Sequence, residues 1–153
     1  MLSRRMSFPL LWGMIPLLIC VGCGGYRPHL EMRLAEDFAG KDLERIDLAG
    51  GEAAYLYPEV VLDERDILTA EVVADESGRP SIHVELTHAG RQKFARVTSE
   101  NVGRRLAMLY EGELLSAPTI RAPIIQGKAI ITGDFDLAEA RRIAETIGRP
   151  AGE

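Results

Sequence analysis

Two helical patterns set among runs of strand spacing constrain this chain more than any other feature. Leu137, Ala140, Ile143, Ala144 and Ile147 recur at the three-and-four spacing that places them on one helix face. Asp136 precedes that stretch with Glu139 three residues on, a capping pair, and Gly148 and Pro150 end it. A second helix is expected from His88 to about Val102, capped by Thr87 and closed by Gly103. Phe94, Val97 and Val102, with Ala95 beside them, form its apolar stripe, while Arg91, Lys93, Arg96 and Glu100 mostly lie off it.

The remaining apolar residues follow strand spacing. Ser81 to Leu86 alternates, with Ile82, Val84 and Leu86 on one side and His83 and Glu85 on the other. Ile67 to Ala74 reads as a strand before the Asp75–Gly78 turn. Ala53 to Leu62 carries Pro58, and Glu113 to Ile120 carries Pro118. Proline cannot donate to a ladder, so both belong at a sheet edge or a bulge. Arg104 to Tyr110 reads as a strand joined to Glu113 by a tight Glu111-Gly112 turn, and Ile124 to Ile131 as a further hairpin around Gln126-Gly127. These elements predict an α+β fold: a mainly antiparallel sheet with two helices packed on one face.

Upstream the pattern is different. Arg4 and Arg5 precede Phe8 to Gly22, which carries no charge and falls short of the roughly 20 residues a spanning helix needs. Cys20-Val21-Gly22-Cys23-Gly24-Gly25 follows and resembles a bacterial lipobox, with small Gly22 before the cysteine to be modified; bulky Ile19 makes Cys20 the poorer acceptor. The resemblance implies that Cys23 receives lipid and becomes the N-terminus, tying the chain to a membrane in an oxidising envelope compartment. Gly24 in place of Asp favours outer-membrane sorting in a Gram-negative cell. The expected organisation is a signal segment over 1–22, a tether or variable segment over 23–52, a domain over 53–148 and a tail over 149–153. Within the tether, Leu43, Ile46 and Leu48 fit either a helical turn or the start of a strand.

Composition excludes several functions. The net charge is −5 with no basic block, which disfavours nucleic acid, and aromatics are only 6% of the chain, too few for a large stacking surface. His29, His83 and His88 show no metal-ligand spacing, so no metal or cofactor is expected. Ser116 lies outside any GxSxG, and the pairs Asp63-Glu64, Asp75-Glu76 and Asp134 with Asp136 read as solvated turn and cap acids. Arg104-Arg105 and Arg141-Arg142 read as solvated surface pairs.

One ordered series remains. Glu85-Leu86-Thr87-His88-Ala89-Gly90 leads to Phe94, Thr98-Ser99-Glu100-Asn101-Val102-Gly103, Leu106-Ala107 and Glu111-Gly112. Ser116-Ala117-Pro118-Thr119-Ile120, Ile124, Gly127-Lys128-Ala129, Ile131-Thr132-Gly133, Phe135, Glu139-Ala140 and Ala144 follow. The series resembles the head subdomain of the first periplasmic domain of SecD, of the SecDF complex that assists the Sec translocase, and the resemblance runs from about Ala53 to Gly148. It implies a module that holds an emerging polypeptide outside the membrane. The chain as given has no membrane helices after the head, so no proton path and no motor activity are expected of it.

The expectation is therefore a lipid-anchored envelope protein that binds exported or envelope polypeptides, with the Sec machinery as a further candidate partner, and without catalysis. The candidate binding edges are Pro58 and the Ser116-Ala117-Pro118 segment. A structural subunit of an envelope assembly is one alternative. A small envelope hydrolase using surface carboxylates or Ser116 is another.

Overall fold

A computed structural model describes residues 28–48 and 51–148. The signal segment, Cys23 and the tail over 149–153 lie outside the described residues. The architecture is α+β and antiparallel, with two helices, as the sequence predicts. Its strands divide between two sheets. In the first, β1 (Leu30–Glu36), β2 (Glu44–Asp47), β3 (Ala53–Asp63), β6 (Arg105–Tyr110) and β7 (Glu113–Ser116) take the order β2-β3-β1-β6-β7. In the second, β4 (Ile67–Ala74), β5 (Pro80–Leu86) and β8 (Lys128–Ile131) take the order β4-β5-β8. Helix α1 spans His88–Glu100 and α2 spans Leu137–Ile147.

The ordered fold begins well upstream of Ala53, which corrects the tether reading of 23–52 for this stretch. β1 is an interior strand, paired with β3 on one side and β6 on the other. Its apolar residues Leu30, Met32 and Ala35 are buried. The strand's charge is paired: Arg33 lies 2.5 Å from Glu31 and 3.2 Å from Glu44 of β2. The Glu64 carboxylate fixes the start of β1 by accepting from the backbone N–H groups of His29 and Leu30 at 3.1 and 3.2 Å. Within the Leu43 to Leu48 stretch, Glu44–Asp47 forms strand β2.

The main core lies where Leu30, Met32, Leu62, Leu106 and Met108 of the first sheet meet Ile82, Val84 and Ile131 of the second, together with Phe94 of α1 and Ile143 and Ile147 of α2. A fully buried isoleucine contributes about 2 kcal/mol by leaving water. Helix α2 buries Ala140, Ile143, Ala144 and Ile147 as expected, but Leu137 is half exposed. A smaller cluster, Ala35, Ala54, Leu56, Ala107 and Leu109, fills the opposite face of the first sheet. β6 is therefore buried on both faces.

Local chemistry explains the turns and helix starts. Thr87 Oγ1 accepts from Gly90 N at 3.1 Å and Asp136 Oδ1 from Glu139 N at 2.8 Å, so both helices have their side-chain caps. Glu111 and Gly112 both take positive φ, 51° and 86°, the type I′ geometry that joins β6 to β7.

Four expectations need correction. Val102 is 52% exposed, because α1 ends at the Asn101 cap; its place in the stripe is taken by fully buried Thr98. Residues 124–131 form no hairpin of their own: β8 pairs with β5. Ile124 N instead donates to Thr98 Oγ1 at 2.9 Å, and the Ile125 carbonyl accepts from Arg91 Nε at 3.1 Å. The strand expected over 113–120 ends at Ser116, since Pro118 has no N–H to donate. The acids of the turn after β3 are not solvated: Asp63, Glu64 and Asp66 are all buried, with Asp66 held by Lys93 Nζ at 2.9 Å.

Candidate functional site

β7 ends the first sheet, and among the described residues no strand pairs with its outer side. Beyond Ser116 the chain still follows β6: Leu106 N donates to the Pro118 carbonyl and Ile120 N to the Arg104 carbonyl, each at 2.9 Å. This leaves a terminal strand whose alternate peptide groups face away from the ladder.

A groove of about 910 Å³ opens beside it. Leu114 to Ala117 form one border and Thr132 to Phe135, which follow β8, form another. Gly133 permits the close approach of these two segments, since a Cβ there would stand 2.7 Å from the Phe135 ring and 3.2 Å from the Leu115 carbonyl oxygen. The β4–β5 turn contributes Asp75 and Arg79, and the end of β2 contributes Asp47 and Leu48. Strands β2 and β7 lie at opposite ends of the sheet order, yet both border this groove. The sheet is therefore curled.

Arg105 holds the curl. Its guanidinium pairs with Asp37 and lies 4.0 Å from Glu52, while its Nη1 donates to the Ala117 carbonyl at 3.2 Å. One side chain thus links the loop after β1, the start of β3 and the end of β7. The reading of Arg104-Arg105 as a solvated pair missed this. The signal lay in β6 itself, where Arg105 alternates onto the same face as Ala107 and Leu109. Arg104 serves the sheet differently, pairing with Glu36 at 3.1 Å and lying 5.6 Å over the Tyr57 ring.

Ser116 Oγ is shielded from solvent and has no hydrogen-bond partner among the described residues. Such a hydroxyl costs about 1–3 kcal/mol of desolvation. No histidine borders the groove, and no described side chain is hydrogen-bonded to Ser116 Oγ as an activating base would be. Among the described residues no three His, Cys, Asp or Glu side chains gather in a metal-holding group. At the groove, Asp75 has its carboxyl held below the ordinary range, foremost by the backbone N–H of Arg79; desolvation opposes this, and Ser77 N–H with the Arg79 side chain and charge adds to the lowering.

The candidate residues named from sequence separate. Ser116 and Ala117 border the groove, and Pro118 follows directly. Pro58 does not border it. Pro58 is exposed on β3, past Leu56 where the pairing with β2 stops, within a stretch whose register against β1 is broken between Val60 and Leu56.

The chain is similar to SecD of Acidaminococcus fermentans (40% identity over 84 residues, 55% of this chain and 20% of that protein). It is similar to SecD of Sebaldella termitidis at 38% over 128 residues, 76% of this chain and 32% of the relative. Aquifex aeolicus SecD matches at 38% over 119 residues, 77% and 23% respectively. The chain thus spans between a fifth and a third of the length of these translocase subunits.

Two solved structures share the fold. One is of the membrane component SecDF that enhances protein export (TM-score 0.65, 28% identity, covering 81% of this chain and 63% of that one). The other is of SecDF in the Super-membrane-facing form (TM-score 0.64, 27% identity, covering 78% and 18%). The family described as SecDF, P1 head subdomain, matches residues 41–149, well over half of the sequence, and the chain belongs to it.

Proposed function

We propose that this protein holds exported or envelope polypeptides in extended form along the free side of β7, without catalysis, while lipid on Cys23 keeps it at the envelope membrane. The observation that carries the reading is the terminal strand β7 beside an open groove, with the Ser116 hydroxyl unpartnered at its border. An added strand would complete the ladder, take its specificity from alternate side-chain pockets and release its own backbone from water. The relatives are named as protein translocase subunits, which is in keeping with a polypeptide ligand, and contact with Sec machinery belongs to the same proposal.

Among the described residues no helix is long and apolar enough to cross a membrane. What supports an anchor at Cys23 is the lipobox-like run Cys20 to Gly25. Replacement of Cys23 by Ser should release the protein from membranes or leave its signal uncut; persistent lipid labelling of that variant would sink the assignment.

The polypeptide reading is tested by amide hydrogen exchange of the full chain with and without an extended peptide. Added protection should concentrate in residues 113–119. Protection confined to β4 or β8 would instead place the ligand on the second sheet. There, half-exposed Ile130 and Val73 share a face with His83 and Glu85, and that face favours the second reading, a fixed partner of a structural assembly.

A further inference from the structure

The charges along the groove specify the ligand more closely, and this step rests on the polypeptide-holding reading above. Asp47, Glu52, Asp75, Glu113, Asp134 and Glu139 border the groove, against two cationic side chains, Arg79 and Arg105. Neither guanidinium is free. Arg79 Nε pairs with Asp75 at 3.1 Å, and Arg105 pairs with Asp37. Asp47 and Glu139 have cationic partners away from the groove, Arg45 at 2.7 Å and Arg142 at 3.2 Å.

Glu113 and Asp134 differ from these. Among the described residues no cationic side chain pairs with either, and both are exposed. They also occupy the two bordering segments: Glu113 opens β7, and Asp134 lies in the facing stretch over 132–135. A chain added to β7 would therefore run past unneutralised carboxylates. Beside Glu113, half-buried Leu114 and Leu115 offer apolar contact. An extended segment that alternates basic and apolar residues satisfies both, since its side chains project to opposite sides in turn. An acidic segment meets like charge and is repelled.

We propose that the groove selects extended polypeptide segments rich in lysine or arginine at alternate positions, with Glu113 and Asp134 as the selecting residues. Selection is electrostatic at exposed groups, so it acts on encounter rate and fades with salt.

The test uses the full chain in detergent and three labelled synthetic peptides of about ten residues, a strand's length. They share their apolar positions and carry Lys, Gln or Glu at the alternate ones. Fluorescence anisotropy should show the Lys peptide binding about ten-fold more tightly than the Gln peptide, and the Glu peptide most weakly. The Glu113→Gln/Asp134→Asn double variant should lose that preference while keeping its affinity for the Gln peptide. A control variant of the same charge, Glu71→Gln/Glu76→Gln, should keep the preference. Equal binding of Lys and Gln peptides, or a preference that survives in the Glu113/Asp134 variant or vanishes in the control, overturns charge selection and leaves polypeptide holding intact. Failure of all three peptides to bind overturns both.

Discussion

The backbone carbonyl oxygen of Asp66 lies 2.5 Å from the point where a Cβ on Gly90 would stand. Helix α1 therefore rests directly on the turn between β3 and β4, and Thr87 N donates to that same carbonyl at 2.8 Å. Gly90 is needed for this contact and not for an unusual backbone angle. Gly90→Ala should push α1 off the turn and cost about 2 kcal/mol, as overpacking does. The urea midpoint should fall with little change in slope. An unchanged midpoint would contradict the contact.

Thr98 links the same helix to the segment before β8. Its Oγ1 donates to the Phe94 carbonyl at 2.7 Å and accepts from Ile124 N at 2.9 Å. Thr98→Val keeps the volume and leaves a backbone N–H unsatisfied, so a loss of about 1–3 kcal/mol is expected. Thr98→Ser keeps the hydroxyl and should lose less. A larger loss for Thr98→Ser than for Thr98→Val would show that the methyl group, not the hydrogen bond, matters.

Ser116 is expected to behave in the opposite way. Its buried hydroxyl has no partner among the described residues, so Ser116→Ala should leave stability unchanged or raise it by up to about 1 kcal/mol. Thermal unfolding measures this directly. A clear loss of stability would mean that the hydroxyl has a partner in the folded protein.

Acid should weaken the fold through Asp63 as well as Asp75. Burial pushes the Asp63 carboxyl up, but the Arg65 side chain and backbone N–H and the Arg65 charge together pull it down further, so its net shift is downward. Arg65 Nη2 lies 2.5 Å from Asp63 Oδ2. A folded-state value below the unfolded one means that the ionised form stabilises the fold. That contribution is complete above about pH 4 and is lost as pH falls through the depressed value. Asp63→Asn should therefore be less stable than the parent at neutral pH, with the gap narrowing below about pH 4. A gap that stays constant with pH would assign the loss to geometry alone.

What could be read from the sequence follows from how local the controlling interactions are. The Asp75 turn, the Thr87 and Asp136 caps and the Glu111-Gly112 turn are short-range, and each forms where the residue types placed it. The alternation of Ser81 to Leu86 is legible because one side faces the core and the other faces water. β1 was hidden because Arg33 neutralises Glu31 and Glu44, so a buried strand carries the composition of a linker. β8 was misassigned because its partner β5 lies some forty residues upstream, and nothing local to Gln126-Gly127 specifies that pairing. The groove was only half visible. Pro118 correctly marks a broken ladder, but the borders come from segments as distant as Asp47 and Glu139, and Arg105 joins them by long-range contacts alone.

The most direct test of polypeptide holding is photocrosslinking in growing cells, with a photoreactive residue at Pro118 and another at Pro58, and identification of the captured chains by mass spectrometry. The account predicts many unrelated exported polypeptides at Pro118. A single constant partner there, or no capture at either position, would contradict it.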